Sequence, residues 1–110
     1  MIYKVNESDW KLFRSRLPGW QEAYMNCLNQ EYIALLSGPE KASDKFWTLE
    51  KRIRHDKRNT GVVAEVTRSM METNIMNLLD EGAITLDDLD GFSDELQEKM
   101  AFLMQRHDHD

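Results

Sequence analysis

Glycine and proline punctuate this chain at Pro18-Gly19, Gly38-Pro39, Gly61, Gly82 and Gly91, and between those stops the apolar residues recur with helical rather than alternating spacing. Segments of that period bury one stripe of a helix and would turn half their apolar residues to water as strands. The pattern predicts an all-α fold, a compact bundle of four to five main helices with one short helical turn. It forms a single domain over 1–106, followed by a flexible tail at 107–110. Met1–Val5 is the one stretch that favours an extended arm, through Ile2, Tyr3 and Val5.

The first helix is predicted over Glu7–Arg16, capped by Asn6 or Ser8, with Trp10, Phe13 and Leu17 on one face. Pro18-Gly19 reads as a break. A second helix covers Trp20–Ser37, whose broad apolar arc (Trp20, Tyr24, Cys27, Leu28, Leu35, Leu36) has Glu31 in its middle. The third, Asp44–Asn59 after a Ser43 cap, carries Phe46, Leu49 and Ile53 as its core stripe. The fourth, Val62–Glu81, is apolar over more than half its circumference, through Val63, Val66, Met70, Met71, Ile75, Leu78 and Leu79. Such a helix is surrounded by others, which places it at the centre of the fold or of a dimer. Thr85 and Asp88 form a capping box before a short turn, Leu86–Asp90. Ser93 caps the last helix, Asp94–Arg106, whose stripe is Leu96, Met100, Leu103 and Met104.

A chain of 110 residues can bury one core without disulfides or metal. Cys27 is the only cysteine and is expected to face the core as an inert thiol. The first ten residues hold no apolar signal core, and no apolar run exceeds five residues, whereas a membrane span needs about 20. The expectation is a cytoplasmic protein with no membrane contact. Its net charge of −6 is uneven: residues 1–79 carry 12 basic and 10 acidic side chains, residues 80–110 carry 2 and 10. That balance makes the molecule a poor general binder of nucleic acid, although a local basic face can hold an anion.

Several constellations invite chemistry. Trp47, Lys51, Arg54 and Arg58 share the second face of the third helix, and interleaved aromatic and basic groups suit base stacking with phosphate contact. A solvated charged face is the plainer reading, supported by Arg52 and Asp56 as an ordinary i, i+4 pair. Glu31 in an apolar arc has the setting of a catalytic carboxyl but no companion, so pairing with an Arg of a neighbouring helix explains it better. Asp88-Leu89-Asp90-Gly91 lacks the remaining acids of a calcium loop. The helix opened by Asp94, Glu95 and Glu98 would repel a DNA backbone. His107 and His109 lie in a solvated tail, and no glycine-rich phosphate loop, HExxH or CxxC is present. No cofactor, metal or enzymatic activity is expected.

The segments Phe46-Trp47-Thr48-Leu49-Glu50-Lys51-Arg52-Ile53 and Ile84-Thr85-Leu86-Asp87-Asp88-Leu89-Asp90-Gly91-Phe92-Ser93 resemble parts of a family of small helical proteins from Gram-positive bacteria and their mobile elements. The resemblance spans residues 30–106. It implies a helical fold, no established function and no catalytic residues.

Together these features predict a non-enzymatic protein–protein interaction or adaptor module, homodimeric through the fourth helix, with Met70, Met71, Asn74, Ile75 and Leu78 at the dimer contact and Asn74 setting the register. The alternative is a small regulator or inhibitor of nucleic acid or its machinery, acting through the basic face or the acidic C-terminal third.

Overall fold

A computed structural model describes residues 5–108. Among them the chain is all-helical: α1 (Glu7–Leu36), α2 (Ala42–Asp56), α3 (Met71–Asp80) and α4 (Asp94–Asp108), with 3-10 turns at Arg68–Met70 and Leu86–Leu89. Most of the arm predicted at Met1–Val5 lies outside the described residues. The tail predicted at 107–110 starts as helix, because α4 continues to Asp108; the rest of it lies outside the described residues.

The molecule measures 55 × 30 × 25 Å, and α1 sets its length. Its 30 residues rise through about 45 Å. The break expected at Pro18-Gly19 does not occur: one helix runs through both residues. Pro18 and Gly19 are exposed, so the backbone hydrogen bond that proline cannot donate is lost where water can serve the freed carbonyl. The apolar stripe also crosses the proline without losing phase. Trp10, Phe13 and Leu17 are buried, Trp20 packs against the same core, and Leu28 is buried two turns beyond Trp20.

The N-terminal half of α1 joins α3, the second 3-10 turn and α4 in a head. Its core holds Trp10, Phe13, Leu17, Met71, Ile75, Leu78, Ile84, Leu89, Phe92, Leu96 and Met100. The rings form a chain: Trp10 stacks on Phe13, Phe13 meets Trp20 edge-on and Trp20 stacks on Phe92, all with centroids 6.2–6.3 Å apart. Beyond the head, the C-terminal half of α1 turns at residues 37–41 and is met by α2, forming a projecting two-helix arm.

Polar latches position the pieces. Asn6 caps α1 by accepting from the Asp9 amide. Asp9, buried, accepts from the Ser93 amide at 2.8 Å and from its hydroxyl at 2.6 Å, tying the start of α1 to the start of α4. Ser93 Oγ in turn caps α4 by accepting from Leu96 N–H at 3.2 Å. Arg16 donates to the carbonyls of Asp88 and Asp90 and lies over the Phe92 ring. The capping box of Thr85 and Asp88 forms as the sequence predicts.

The predicted fourth helix is wrong at its start. Residues 62–67 are not helical, and the helical segment begins at Arg68, capped by Thr67, whose hydroxyl oxygen accepts from Met70 N–H. The run Val62-Val63-Ala64-Glu65-Val66-Thr67 is rich in β-branched residues, which lose rotamer freedom in a helix. The surface expected at a dimer contact is also covered within one chain. Met71, Asn74, Ile75 and Leu78 are buried in the head and Met70 is half-buried. Asn74, expected to set a register between two copies, is engaged inside its own chain: its amide donates to the Glu65 carbonyl at 2.9 Å and holds the preceding loop against α3. The apolar arc of this helix is wide because α1, the 3-10 turns and α4 surround it in the same molecule.

Candidate interaction surface

The arm is a lateral pairing of two helices, and each contributes polar groups to the seam. Tyr32 Oη donates to Asp56 Oδ2 at 2.5 Å, and Asp56 is buried. Arg52 pairs with Glu31 at 2.9 Å and with Asp56 at 3.5 Å while lying over the Tyr32 ring. Glu31 is thus an exposed partner of an arginine on the neighbouring helix, and the i, i+4 pair of Arg52 and Asp56 is present. Near the head, Asn59 donates to the Tyr24 hydroxyl at 2.8 Å, and Gln21 donates to the Thr60 carbonyl at 3.0 Å. The Glu81 carboxylate accepts both the Thr60 and Gly61 amides, at 2.8 and 2.9 Å, fastening the root of the arm to α3.

This seam has a pH signature. Burial, together with the hydrogen bond to Asp56, pushes the Tyr32 phenol up to about 12 from an ordinary value of 10. The folded state keeps the proton that the unfolded chain gives up, so this stabilisation is complete below pH 10 and is lost as pH rises toward 12. Tyr32→Phe should flatten the stability profile across that window in chemical denaturation; an unchanged slope would mean that the seam is not formed as described.

With polar groups filling the seam, the apolar residues of α2 point elsewhere. Phe46, Leu49 and Ile53 do not form the predicted core stripe. Phe46 is 62% exposed, Ile53 is 43% exposed and Leu49 is half-buried. Trp47 is 61% exposed and meets the Phe46 ring edge-on at 5.0 Å. On α1, Ile33 and Leu36 are exposed as well, and Cys27, expected to face the core, lies on the surface. The physical reason is common to all: a helix packed against a single neighbour can bury only one narrow stripe.

Of these, Phe46, Leu49 and Ile53 border a shallow groove along one side of the arm, made of two adjoining hollows. Its half toward the tip, about 270 Å³, is lined by Phe46, Leu49, Glu50 and Arg54, and its half toward the head, about 260 Å³, by Met25, Leu28, Asn29, Tyr32, Asp56 and Val62. Ile53 and Lys57 line both halves.

Of the residues predicted for an anion-binding face, Trp47, Lys51 and Arg54 are exposed on α2, whereas Arg58, also exposed, lies past the end of the helix at Asp56, short of the predicted end at Asn59. Arg54 is engaged, however: its Nε donates to Glu50 at 2.9 Å and a second guanidinium nitrogen pairs with the same carboxylate. The groove itself was missed by sequence reasoning. Its signal was the adjacency of Phe46 and Trp47, which sit about 100° apart on a helix, so that one narrow interface cannot cover both.

No group of three or more His, Cys, Asp or Glu among the described residues is arranged to hold a metal ion. No described helix is long and apolar enough to cross a membrane. No family model, curated protein or solved structure matches the chain.

Proposed function

We propose that this chain is a non-enzymatic protein–protein interaction module whose contact surface is the outward apolar face of the α1–α2 arm. The observation that carries this reading is the exposure of Phe46 and Ile53 in one groove, with exposed Trp47 against the Phe46 ring, on an arm whose own helices are joined by the Tyr32–Asp56 hydrogen bond. Exposed apolar surface rimmed by polar residues marks interaction sites, and aromatic anchors beside arginine are the usual carriers of binding energy. Its partners are proteins, another copy of this chain among them. The cytoplasm is the setting we assign, where an exposed thiol such as Cys27 stays reduced. The test compares what wild type and Phe46→Glu retain from an extract of the cells that make the protein. Partners held by the wild type and lost by the variant are expected; identical sets would remove this face from consideration.

A second reading is favoured by one observation, the exposure of Trp47 one helical turn from the exposed Lys51, with Arg58 exposed just past the end of α2. These groups suit a single-stranded nucleic acid, although Glu50 already engages Arg54. Under this reading, changing Lys51, Arg54 and Arg58 to Ala flattens the salt dependence of RNA binding. An unchanged slope excludes the face as a nucleic-acid contact.

A further inference from the structure

We infer that the occupant of the groove is a second copy of this chain, laid antiparallel so that two arms close into a four-helix bundle. The inference rests on the arm being the contact surface and names its partner. A two-helix hairpin buries one stripe of each helix against the other and leaves a second stripe with no neighbour, and a second hairpin is the simplest cover for it.

Contacts inside the arm establish which residues share a level. Lys45 donates to the Leu36 carbonyl near the tip, Glu31 meets Arg52 midway, and Tyr24 meets Asn59 near the head. The midpoint of the arm therefore lies by Gln30 on α1 and Ile53 on α2. A twofold axis crossing the groove at that level sets α1 against α1 and α2 against α2 of the other copy. Glu50 of each copy then lies level with Asp56 and Lys57 of the other, twice by symmetry; Asp56 is buried and already held by Tyr32 and Arg52, which leaves Lys57, like Glu50 a groove-lining residue, to take the pairing. Met25 near the head faces Leu36 near the tip of the other copy, and Phe46 at the tip covers Val62 at the far end of the groove. A parallel arrangement would instead set Lys57 over Met25 and Asn29, with no such charge pairing. Arg54, held by Glu50 on its own helix, adds the third member of an alternating row.

The contact is small. The 15 residues of α2 rise about 22 Å and two helices span about 20 Å, a footprint of about 450 Å² per copy. That is below the standard size of specific interfaces, so association should depend on concentration.

Size exclusion with light scattering on the whole chain, from micromolar to millimolar protein, reads this directly. The expected mass rises from 13.0 kDa toward twice that value. Ile53→Glu should stay at 13.0 kDa with unchanged helicity. Glu50→Lys and Lys57→Glu should each weaken association roughly tenfold by setting like charges opposite, and the double variant Glu50→Lys/Lys57→Glu should recover it. A wild-type mass of 13.0 kDa at every concentration overturns the second copy as occupant; the loss of other partners by Phe46→Glu then still decides whether the arm is a contact surface. A dimer that persists in Ile53→Glu, or a double variant that stays as weak as its parents, overturns the antiparallel pairing.

Discussion

Gly61→Ala should destabilise the protein by about 3 kcal/mol, the upper end of overpacking costs, and lower its melting temperature by roughly 10 °C or more. The added methyl would lie 2.7 Å from Cγ and 2.8 Å from Cε2 of Tyr24, and closer still to Cδ2. The ring cannot easily swing aside, because Asn59 holds its hydroxyl at 2.8 Å. Nor can the loop retreat without cost, since the Gly61 amide is one of two that satisfy Glu81. Equilibrium denaturation of Gly61→Ala, alone and combined with Tyr24→Ala, separates the clash from other causes. The glycine substitution should cost much less once the ring is gone; an equal cost in both backgrounds would mean that the ring is not the obstacle.

Asp9→Ala should cost about 3 kcal/mol by leaving the Ser93 amide and hydroxyl without their acceptor. Asp9 is buried at the junction of α1 and α4, where both of its carboxylate oxygens are used by Ser93. The loss therefore loosens the cap of α4 as well as one pair of hydrogen bonds. Asp9→Asn keeps the shape and one acceptor, so it should fall between alanine and wild type. Thermal melts order the three; an alanine variant as stable as wild type would show that the two helix starts are held by packing alone.

The head was largely legible in the sequence and the arm was not, for one physical reason. In the head, each element has neighbours on several sides, so helical periodicity maps onto burial: Trp10, Phe13 and Leu17 on α1, and Leu96 and Met100 on α4, are all buried as their spacing predicts. Local hydrogen-bond chemistry was equally readable at Asn6, at Thr85 with Asp88, and at Ser93. Pro18-Gly19 reads as a break by residue type alone, although the stripe from Trp10 to Leu28 passes through it in phase. In the arm, the same periodicity that marks a core marks an uncovered face equally well. Phe46, Leu49 and Ile53 are spaced like a core stripe, and only the count of neighbouring helices distinguishes the two. The sequence of α3 posed the reverse problem. Its wide apolar arc suggested a second molecule, but the turns and loops of its own chain supply the cover, including the Glu65 carbonyl that takes Asn74.

The arm's apolar face is uncovered within its own chain, and the head carries the fold. Thermal unfolding of Phe46→Glu, followed by circular dichroism in dilute solution beside wild type, tests this most directly. Phe46 is 62% exposed, so a charge there should change stability by no more than about 0.5 kcal/mol and leave the melting temperature within about 4 °C of wild type. A fall of roughly 10 °C or more, the size expected of a core lesion, would contradict the account, because Phe46 would then be holding the chain together.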